Sequence, residues 1–220
     1  MGIAQDLPCA MRGIGTATNI SVVYLNSYAV QGCGFENKAA HALLWRILMQ
    51  YVYIDRERAG KLKGDAKAVS RIEKLCGCKI TFEENGSISV SGDAYGEFNA
   101  RNIIYAYGCG FGEKHAELLA KDDYYSDYID IKGLGSPKRI RDVKARVIGT
   151  NGKSKKYIEG VSGALVSIRE DVIGIIGSVE SIDEAKAAIM TLVEGGTHKL
   201  AYLRMEAAHR KHKAERLVMR

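Results

Sequence analysis

Hydrophobic and polar positions follow two patterns along this chain, and the same succession of patterns occurs twice after residue 49. Alternation at every second residue is typical of half-buried strands, whereas apolar residues spaced three and four apart are typical of amphipathic helices. The helical spacing is clearest at residues 182–193. Residues 71–104 align with residues 157–189 with one residue of slip in a turn, so the chain contains an internal repeat.

Each copy predicts the same order of elements, β-α-α-β-β-α. The predicted strands are 50–54, 78–83 and 87–91 in the first copy, and 125–132, 164–169 and 171–176 in the second. The second helix of each copy, at 65–76 and 153–162, is closed by a glycine. We therefore expect an α+β fold in which a three-stranded sheet carries its helices on one face. Units of about 70 residues are near the lower size for a stable core, so we expect the two copies to pack together.

The repeat sets the expected domain boundaries. We expect a first domain at 49–111, a linker helix and second domain at 112–196, and a basic C-terminal helical tail at 197–220. Residues 1–48 show no clean period before 38–48. Two interpretations stay open for them: an over-extended reading frame whose true start is Met49, or a genuine extension with a helix at 37–48.

Charge changes the picture mainly through its position. The composition, 46% hydrophobic and 26% charged, is that of an ordinary soluble protein, and the net charge of +6 is compatible with a polyanionic partner. Residues 199–220 hold seven Lys and Arg against two acids. We expect this tail to add phosphate contacts. No signal-peptide pattern or membrane-length apolar run is present, so we expect a cytoplasmic protein without a membrane partner.

Candidates for catalysis or metal binding lack a supporting context. The five cysteines form an odd set without framework spacing, so we interpret them as small buried thiols in a reducing compartment rather than a zinc site; they are Cys9, Cys33, Cys76, Cys78 and Cys109. His115 and His198 lie near predicted helix starts, where capping or packing explains them. We found no catalytic triad or paired carboxylates in context and expect a protein that is not an enzyme and uses neither cofactor nor metal.

The candidate chemistry lies in ARVIGTNGKSKKYIE, residues 145–159. A Walker-type ATP loop would require glycine at position 147 and a buried strand before the loop. Val147 stands there, and residues 138–146 predict a basic amphipathic helix. A Gly-x-x-Gly turn between two helices of a β-α-α-β-β-α unit instead fits a type I KH domain, whose loop holds about four nucleotides by their backbone. The sequence thus predicts two tandem KH domains with an RNA clamp in the second.

The expected RNA contacts are the turn and the residues beside it. Glycines let phosphates approach the chain, a helix N-terminus offers free amides, and lysines add charge without reading sequence. These residues are Arg146, Ile148, Gly149, Thr150, Asn151, Gly152, Lys153, Lys155 and Lys156. Ile148 and Val166 are candidates for lining an apolar groove that holds bases. Tyr124, Tyr125 and Tyr128 either stack on bases or fill a half-buried strand.

The first copy departs from this pattern. Its corresponding turn, GKLKGDAK at 60–67, has no Gly-x-x-Gly, and Asp65 places an acid where a phosphate would sit. Lys61, Lys63 and Lys67 would touch RNA only weakly. We therefore interpret the first domain as structural support or a protein-binding face.

Residues 50–206 resemble the archaeal tandem-KH ribosomal-RNA-processing proteins, relatives of the eukaryotic small-subunit assembly factors partner of Nob-one and Krr-one. Three segments carry the resemblance: AYGCGFGEKHAELLAKDDYYSDYIDI, IRDVKARVIGTNGKSKKYIEGVSGALVSI and EGGTHKLAYLRME. The resemblance implies binding near the 3′ end of small-subunit ribosomal RNA during assembly. It also implies the Nob-one endonuclease and the alpha subunit of initiation factor two as partners, for a protein we expect to be a monomer.

Two other functions stay open. The degenerate first copy is compatible with an adaptor whose KH folds mainly bind proteins during ribosome assembly or translation. Residues 149–154 leave room for a nucleotide-dependent enzyme, which ATP titration would reveal.

Overall fold

The structure, a computed structural model, describes residues 51–83 and 87–218. In this part of the chain, the same order of strands and helices occurs twice. The first copy comprises β1 (Tyr51–Tyr53), α1 (Arg56–Gly64), α2 (Ala66–Cys76), β2 (Lys79–Phe82), β3 (Ser87–Ser91) and α3 (Ala94–Gly108). The second comprises β4 (Tyr125–Asp130), α5 (Pro137–Ile148), α6 (Lys153–Ser162), β5 (Leu165–Arg169), β6 (Val172–Gly177) and α7 (Val179–Val193). The predicted order of elements is confirmed, and the expectations for residues 1–48 lie outside the described residues.

Two further helical segments lie outside the two copies. A short helix, α4 (Glu113–Ala116), continues into a 3-10 turn at Glu117–Ala120 and links the copies. A long helix, α8 (His198–Val218), follows α7. No helix in the described ranges is both long and apolar enough to cross a membrane.

Both sheets have the same topology. The strand order is β1-β3-β2 in the first sheet and β4-β6-β5 in the second, and all pairs are antiparallel. The last strand of each copy is therefore central. In the second copy the helices cover one face of the sheet, where Ile173 and Ile175 of β6 pack with Val143 of α5 and Ile189 of α7.

The opposite face of the second sheet is covered by the first copy. Ile176 is fully buried in the core of the first copy, and Phe111 lies so close to Gly174 that an added Cβ would come within 2.7 Å of its ring. The Ser167 hydroxyl donates to the carbonyl oxygen of Cys109 at 3.0 Å. Because these contacts join β5 and β6 to the first copy, the expected packing of the two copies is confirmed.

Charged groups close the edge of this interface. The Arg169 guanidinium lies 3.0 Å from the Asp55 carboxylate, and both side chains are about one-third exposed or less, at 28% and 35%. The same guanidinium reaches Glu57 at 3.7 Å. Asp55 directly precedes α1, so this ion pair ties the start of the first copy to the hairpin of the second.

The cysteines that the structure describes are buried free thiols, as predicted: Cys76, Cys78 and Cys109. Burial raises the pKa of Cys76 to about 12, so its thiol stays protonated at neutral pH. Among the described residues, no cluster of three or more His, Cys, Asp or Glu side chains could hold a metal ion.

Helix α8 packs on α7 through a buried carboxylate. Glu184 of α7 has a side chain only 3% exposed, and its two oxygens lie 2.8 Å from His209 Nδ1 and 3.1 Å from His212 Nδ1. Ala201 and Met205 of α8 are fully buried nearby in the core of the second copy. A buried carboxylate needs hydrogen-bond partners, and α8 supplies both.

We expect Glu184→Ala to lower the free energy of unfolding by about 1.5–3 kcal/mol, because hydrogen bonds to a charged group are removed. Glu180→Ala is the matched control. It lies one turn earlier on α7 and pairs with Arg216 of α8 at 3.5 Å, but both side chains are largely exposed, at 43% and 57%. Exposed pairs contribute less than about 1 kcal/mol. Urea denaturation of both variants measures the difference, and equal losses of stability would contradict a special role for Glu184.

Candidate nucleic-acid interface

Helix α5 leads into the Gly-x-x-Gly turn with its apolar face inward. Ser136 caps its start, accepting a hydrogen bond from the Arg139 amide at 3.4 Å, and Pro137 occupies the first helical position. Ile140, Val143 and Val147 are buried, as the helical spacing predicted. The helix ends at Ile148, and the Gly149 amide donates to the carbonyl oxygen of Ala145 at 2.8 Å.

The turn itself is built from left-handed backbone conformations. Gly149 has a φ of 71°, Asn151 of 53° and Gly152 of 73°. The Gly152 amide closes the turn by donating to the Gly149 carbonyl at 3.1 Å. Left-handed conformations are unstrained in glycine and tolerated in asparagine, which explains these residue types. Thr150 and Asn151 are both exposed at the tip of the turn.

The two glycines have different local roles. A Cβ on Gly149 would lie 2.6 Å from the Cβ of Ser154, whereas a Cβ on Gly152 would meet nothing within 4 Å. Gly149 is therefore required by packing inside the protein, and Gly152 leaves open space on the outside. We expected both glycines to serve the approach of RNA, and only Gly152 has the open surroundings for it.

Helix α6 starts at Lys153 with an uncapped N-terminus. The Lys153 amide donates to the carbonyl oxygen of Thr150, and no side chain among the described residues caps the amides that follow it. The helix dipole adds partial positive charge at the same place. The amides after Lys153, behind an exposed turn, form a site suited to a phosphate group.

The corresponding turn in the first copy is closed. Residues 60–64 belong to α1, so the turn between α1 and α2 is the single residue Asp65. Its carboxylate accepts hydrogen bonds from the Lys67 amide at 3.1 Å and the Ala68 amide at 3.0 Å. The hydrogen bond from the Ala68 amide lowers the pKa of Asp65, so the carboxylate stays charged at neutral pH. The Asp65 carboxylate thus caps the amides of α2 whose counterparts in α6 have no side-chain cap.

The predicted contacts beside the turn are not equally available. Lys153 and Lys156 are exposed, and Lys155 is half-buried with Nζ 3.9 Å from Glu159. Ile148 is 39% exposed and can meet a base. The half-buried Arg146 already donates from Nη2 to the carbonyl oxygen of Gly196.

The assignment of Val166 to an open groove was wrong. Val166 is only 3% exposed and lies in the core of the second copy, because the alternation along β5 turns it toward the helices. Leu165 and Ser167 point the other way, toward the first copy. Neither face of β5 is therefore open at these positions.

Of the three tyrosines considered for base stacking, Tyr128 is turned into the protein. Its ring meets Tyr105 of α3 edge-on at a centroid distance of 4.7 Å, and burial raises its pKa. Tyr124 packs against the core of the first copy, and Tyr125 is 52% exposed. Packing inside the protein therefore accounts for Tyr128 and Tyr124.

Sequence reasoning missed that the corner between α7 and α8 contacts both helices beside the Gly149–Gly152 turn. His198 was expected to cap or pack, and its Nε2 lies 2.9 Å from the carbonyl oxygen of Arg146. On the other side of the turn, Tyr157 of α6 contacts Tyr202 of α8 at a centroid distance of 4.4 Å. The Gly-Gly pair in EGGTHK signals a helix end, but it does not reveal which helix lies beside it.

Comparison with known proteins gives a consistent picture. The family described as "Eukaryotic type KH-domain (KH-domain type I)" matches residues 125–210, which run from β4 into α8. The chain is 34% identical over 175 residues to a KH domain-containing protein of Methanocaldococcus jannaschii, covering 76% of this chain and 77% of that one. It is 30% identical over 117 residues to the pre-rRNA-processing protein pno1 of Schizosaccharomyces pombe, covering 51% of this chain and 48% of that protein.

A solved structure is similar over most of its own length. A chain in the crystal structure of the a/eIF2alpha–aDim2p–rRNA complex from Pyrococcus horikoshii is 32% identical, with a TM-score of 0.65, covering 74% of this chain and 94% of that one. Together with the family match and the strand order, this similarity shows a KH-type α+β fold.

We expect Gly149→Ala to destabilise the protein by about 1–3 kcal/mol, because the side chain meets Ser154 and the backbone conformation is strained for alanine. Gly160→Ala, inside α6 with nothing within 4 Å of its Cβ, is the control. It should raise stability by up to about 1 kcal/mol, since glycine is a poor helix former. Thermal denaturation followed by circular dichroism compares the two, and a neutral Gly149→Ala would show that the turn relaxes easily.

Proposed function

Because the chain belongs to the family of archaeal relatives of Pno1, KH-domain proteins, we propose that it binds ribosomal RNA in the assembly of the small ribosomal subunit. The RNA contact is the second KH unit, and the target lies near the 3′ end of the small-subunit rRNA. The observation that carries this proposal is the uncapped N-terminus of α6 behind the exposed turn Gly149–Gly152.

The chemistry of binding follows from that turn. A backbone phosphate accepts hydrogen bonds from the amides that follow Lys153 in α6 and passes over Gly152, where no Cβ intrudes. Lys153 and Lys156 add charge that does not depend on sequence. The exposed Ile148 offers an apolar surface to a neighbouring base. Arg146 contributes less directly, because its guanidinium already has a protein partner.

The first copy is also a KH domain, but it lacks the clamp, and the two copies form a tandem of KH domains. Its element order and strand order equal those of the second copy, which supports this assignment. The Asp65 carboxylate repels phosphate and itself accepts the hydrogen bonds from the first amides of α2. Its role is to support the second domain and to offer a surface to protein partners.

The partners we propose are rRNA and the alpha subunit of initiation factor two. Both are components of the Pyrococcus horikoshii complex that contains the similar chain, which supports the choice. The family resemblance adds the Nob-one endonuclease. We propose that the protein acts as a cytoplasmic monomer and as a binding protein rather than an enzyme.

The alternative of a nucleotide-dependent enzyme has little structural support. A Walker loop follows a buried strand, but residues 149–154 follow the amphipathic helix α5. The adaptor alternative rests on the closed turn of the first copy and is compatible with RNA binding by the second. Isothermal titration with ATP and Mg²⁺ tests the enzyme, and saturable binding would favour it.

We expect replacement of both Thr150 and Asn151 by Asp to weaken RNA binding at least tenfold, equal to about 1.4 kcal/mol. Both residues are exposed at the tip of the turn, so the fold should persist. The new carboxylates would face the phosphate path, where like charges repel. Fluorescence anisotropy with a labelled single-stranded RNA carrying the 3′-terminal sequence of small-subunit rRNA measures the change.

The control for this variant is Ala66→Asp at the corresponding turn of the first copy. Asp65 already closes that turn, so one more acid should change RNA affinity much less. Equal effects of the two variants, or no effect of either, would show that Gly149–Gly152 is not the clamp. The adaptor function would then be favoured.

We propose that the basic C-terminal helix contributes further phosphate contacts through exposed residues. Arg210, Lys211 and Lys213 are exposed, whereas His209 and His212 hold Glu184, so truncation would disturb the fold as well as the charge. Neutralising the three exposed cations to Gln should reduce the slope of log Kd against log salt by about 0.7 for each phosphate that is no longer neutralised. An unchanged slope would indicate that the helix faces solvent or a protein partner.

A further inference from the structure

The two helices that flank the clamp are held by the same short segment of the chain. This segment, residues 196–206, contains the turn after α7 and the first part of α8; we refer to it as the brace. It contacts the last turn of α5 on one side and the middle of α6 on the other. Because the Gly149–Gly152 turn joins α5 to α6, anything that fixes both helices also fixes the turn.

On the α5 side, two hydrogen bonds connect Arg146 to the brace. The Arg146 guanidinium donates to the carbonyl oxygen of Gly196. In return, His198 Nε2 lies 2.9 Å from the carbonyl oxygen of Arg146, and because a carbonyl can only accept, Nε2 carries the proton. The Arg146 carbonyl is among the last four of α5, which have no partner within the helix. His198 is therefore a C-terminal cap supplied by another helix.

The backbone of the brace is itself well determined. The Gly195 amide donates to Leu192 at 3.2 Å and the Gly196 amide to Thr191 at 2.8 Å, the pair of bonds of a Schellman motif at the end of α7. Gly195 has a φ of 100°, and a Cβ on Gly196 would come within 2.6 Å of the Thr191 side chain. These constraints fix where His198 begins α8.

On the α6 side, the contact is aromatic and polar. Tyr157 packs on Tyr202 with ring centroids 4.4 Å apart, and its hydroxyl donates to Glu206 Oε1 at 2.6 Å. Tyr202 also lies 6.1 Å from the His198 ring. One continuous row of side chains thus runs from the end of α5 to the second turn of α6.

We propose that His198 is a positioning residue for the RNA clamp, and that the brace holds the Gly149–Gly152 turn in its phosphate-binding shape before RNA arrives. This inference rests on the proposed function of that turn. A preorganised turn binds more tightly because less conformational entropy is lost on binding. His198 contacts the helix before the turn and does not itself touch the phosphate.

The test compares three variants in the full chain. His198→Ala removes the cap, His198→Gln restores an N–H donor close to the position of Nε2, and His212→Ala is the matched control on the same helix, since His212 bonds to Glu184 of α7 instead. We expect His198→Ala to raise the Kd for the 3′-terminal rRNA oligonucleotide roughly three- to tenfold, the effect of one hydrogen bond. His198→Gln should return it to within about twofold of the wild-type value, and His212→Ala should leave it unchanged.

A second measurement needs no RNA. Hydrogen exchange of the Gly149 and Gly152 amides, which bond to Ala145 and Gly149 in the turn, should be faster in His198→Ala than in His212→Ala. If His198→Ala does not fold, Tyr157→Phe tests the other side of the brace by removing only the hydroxyl bonded to Glu206. It should speed the same exchange and weaken RNA binding.

The outcomes separate this inference from the proposed function. Unchanged exchange and Kd in His198→Ala, or equal weakening by His212→Ala, would overturn the positioning role, and so would a failure of Gln to restore binding. If His198→Ala does not fold, unchanged exchange and RNA binding in Tyr157→Phe would overturn the positioning role. Absence of an RNA effect in the Thr150 and Asn151 double variant would instead overturn the clamp, even where exchange at the turn still depends on His198.

Discussion

Strand β6 is buried on both faces, and the arrangement of both copies depends on this one strand. Its sequence, VIGIIG, is an apolar run without the alternation expected of a sheet with one wet face. Ile173 and Ile175 pack under the helices of the second copy, and Ile176 packs into the first. Gly174 leaves the space that Phe111 fills. A unit this small gains a second buried surface from its neighbour, so the two copies stabilise each other.

The same architecture supports two different helix starts. In the first copy, Asp65 provides the acceptor for the opening amides of α2, which stabilises the helix and excludes an outside anion. In the second, Gly152 provides no side chain, so the protein gives up a cap at α6. Capping groups contribute about 1 kcal/mol. The absence of that stabilisation in one copy only supports the proposed division between a supporting domain and a binding domain.

The element order, the turn and the glycine-closed helices could be predicted from sequence because they depend on local periodicity and local backbone preference. The surroundings of the two faces of β5 could not be predicted. Val166 was assigned to a groove, because a strand pattern does not say which face meets helices when both faces are covered. Arg146 was expected among the RNA contacts, but its guanidinium already has a protein partner. Its partner Gly196 lies 50 residues away, and only the tertiary fold brings them together. Glu184 and its two histidines have the same long-range character.

The buried carboxylate of Glu184 determines where an isolated second domain can end. The KH family match stops at residue 210, between the two histidines that bind this carboxylate. A fragment cut at that point keeps His209 but lacks His212, so one carboxylate oxygen loses its donor inside a nearly dry site. Sequence-family boundaries follow shared residues, whereas the folding unit follows satisfied polar groups. An expression fragment for spectroscopy of this domain should therefore extend beyond His212.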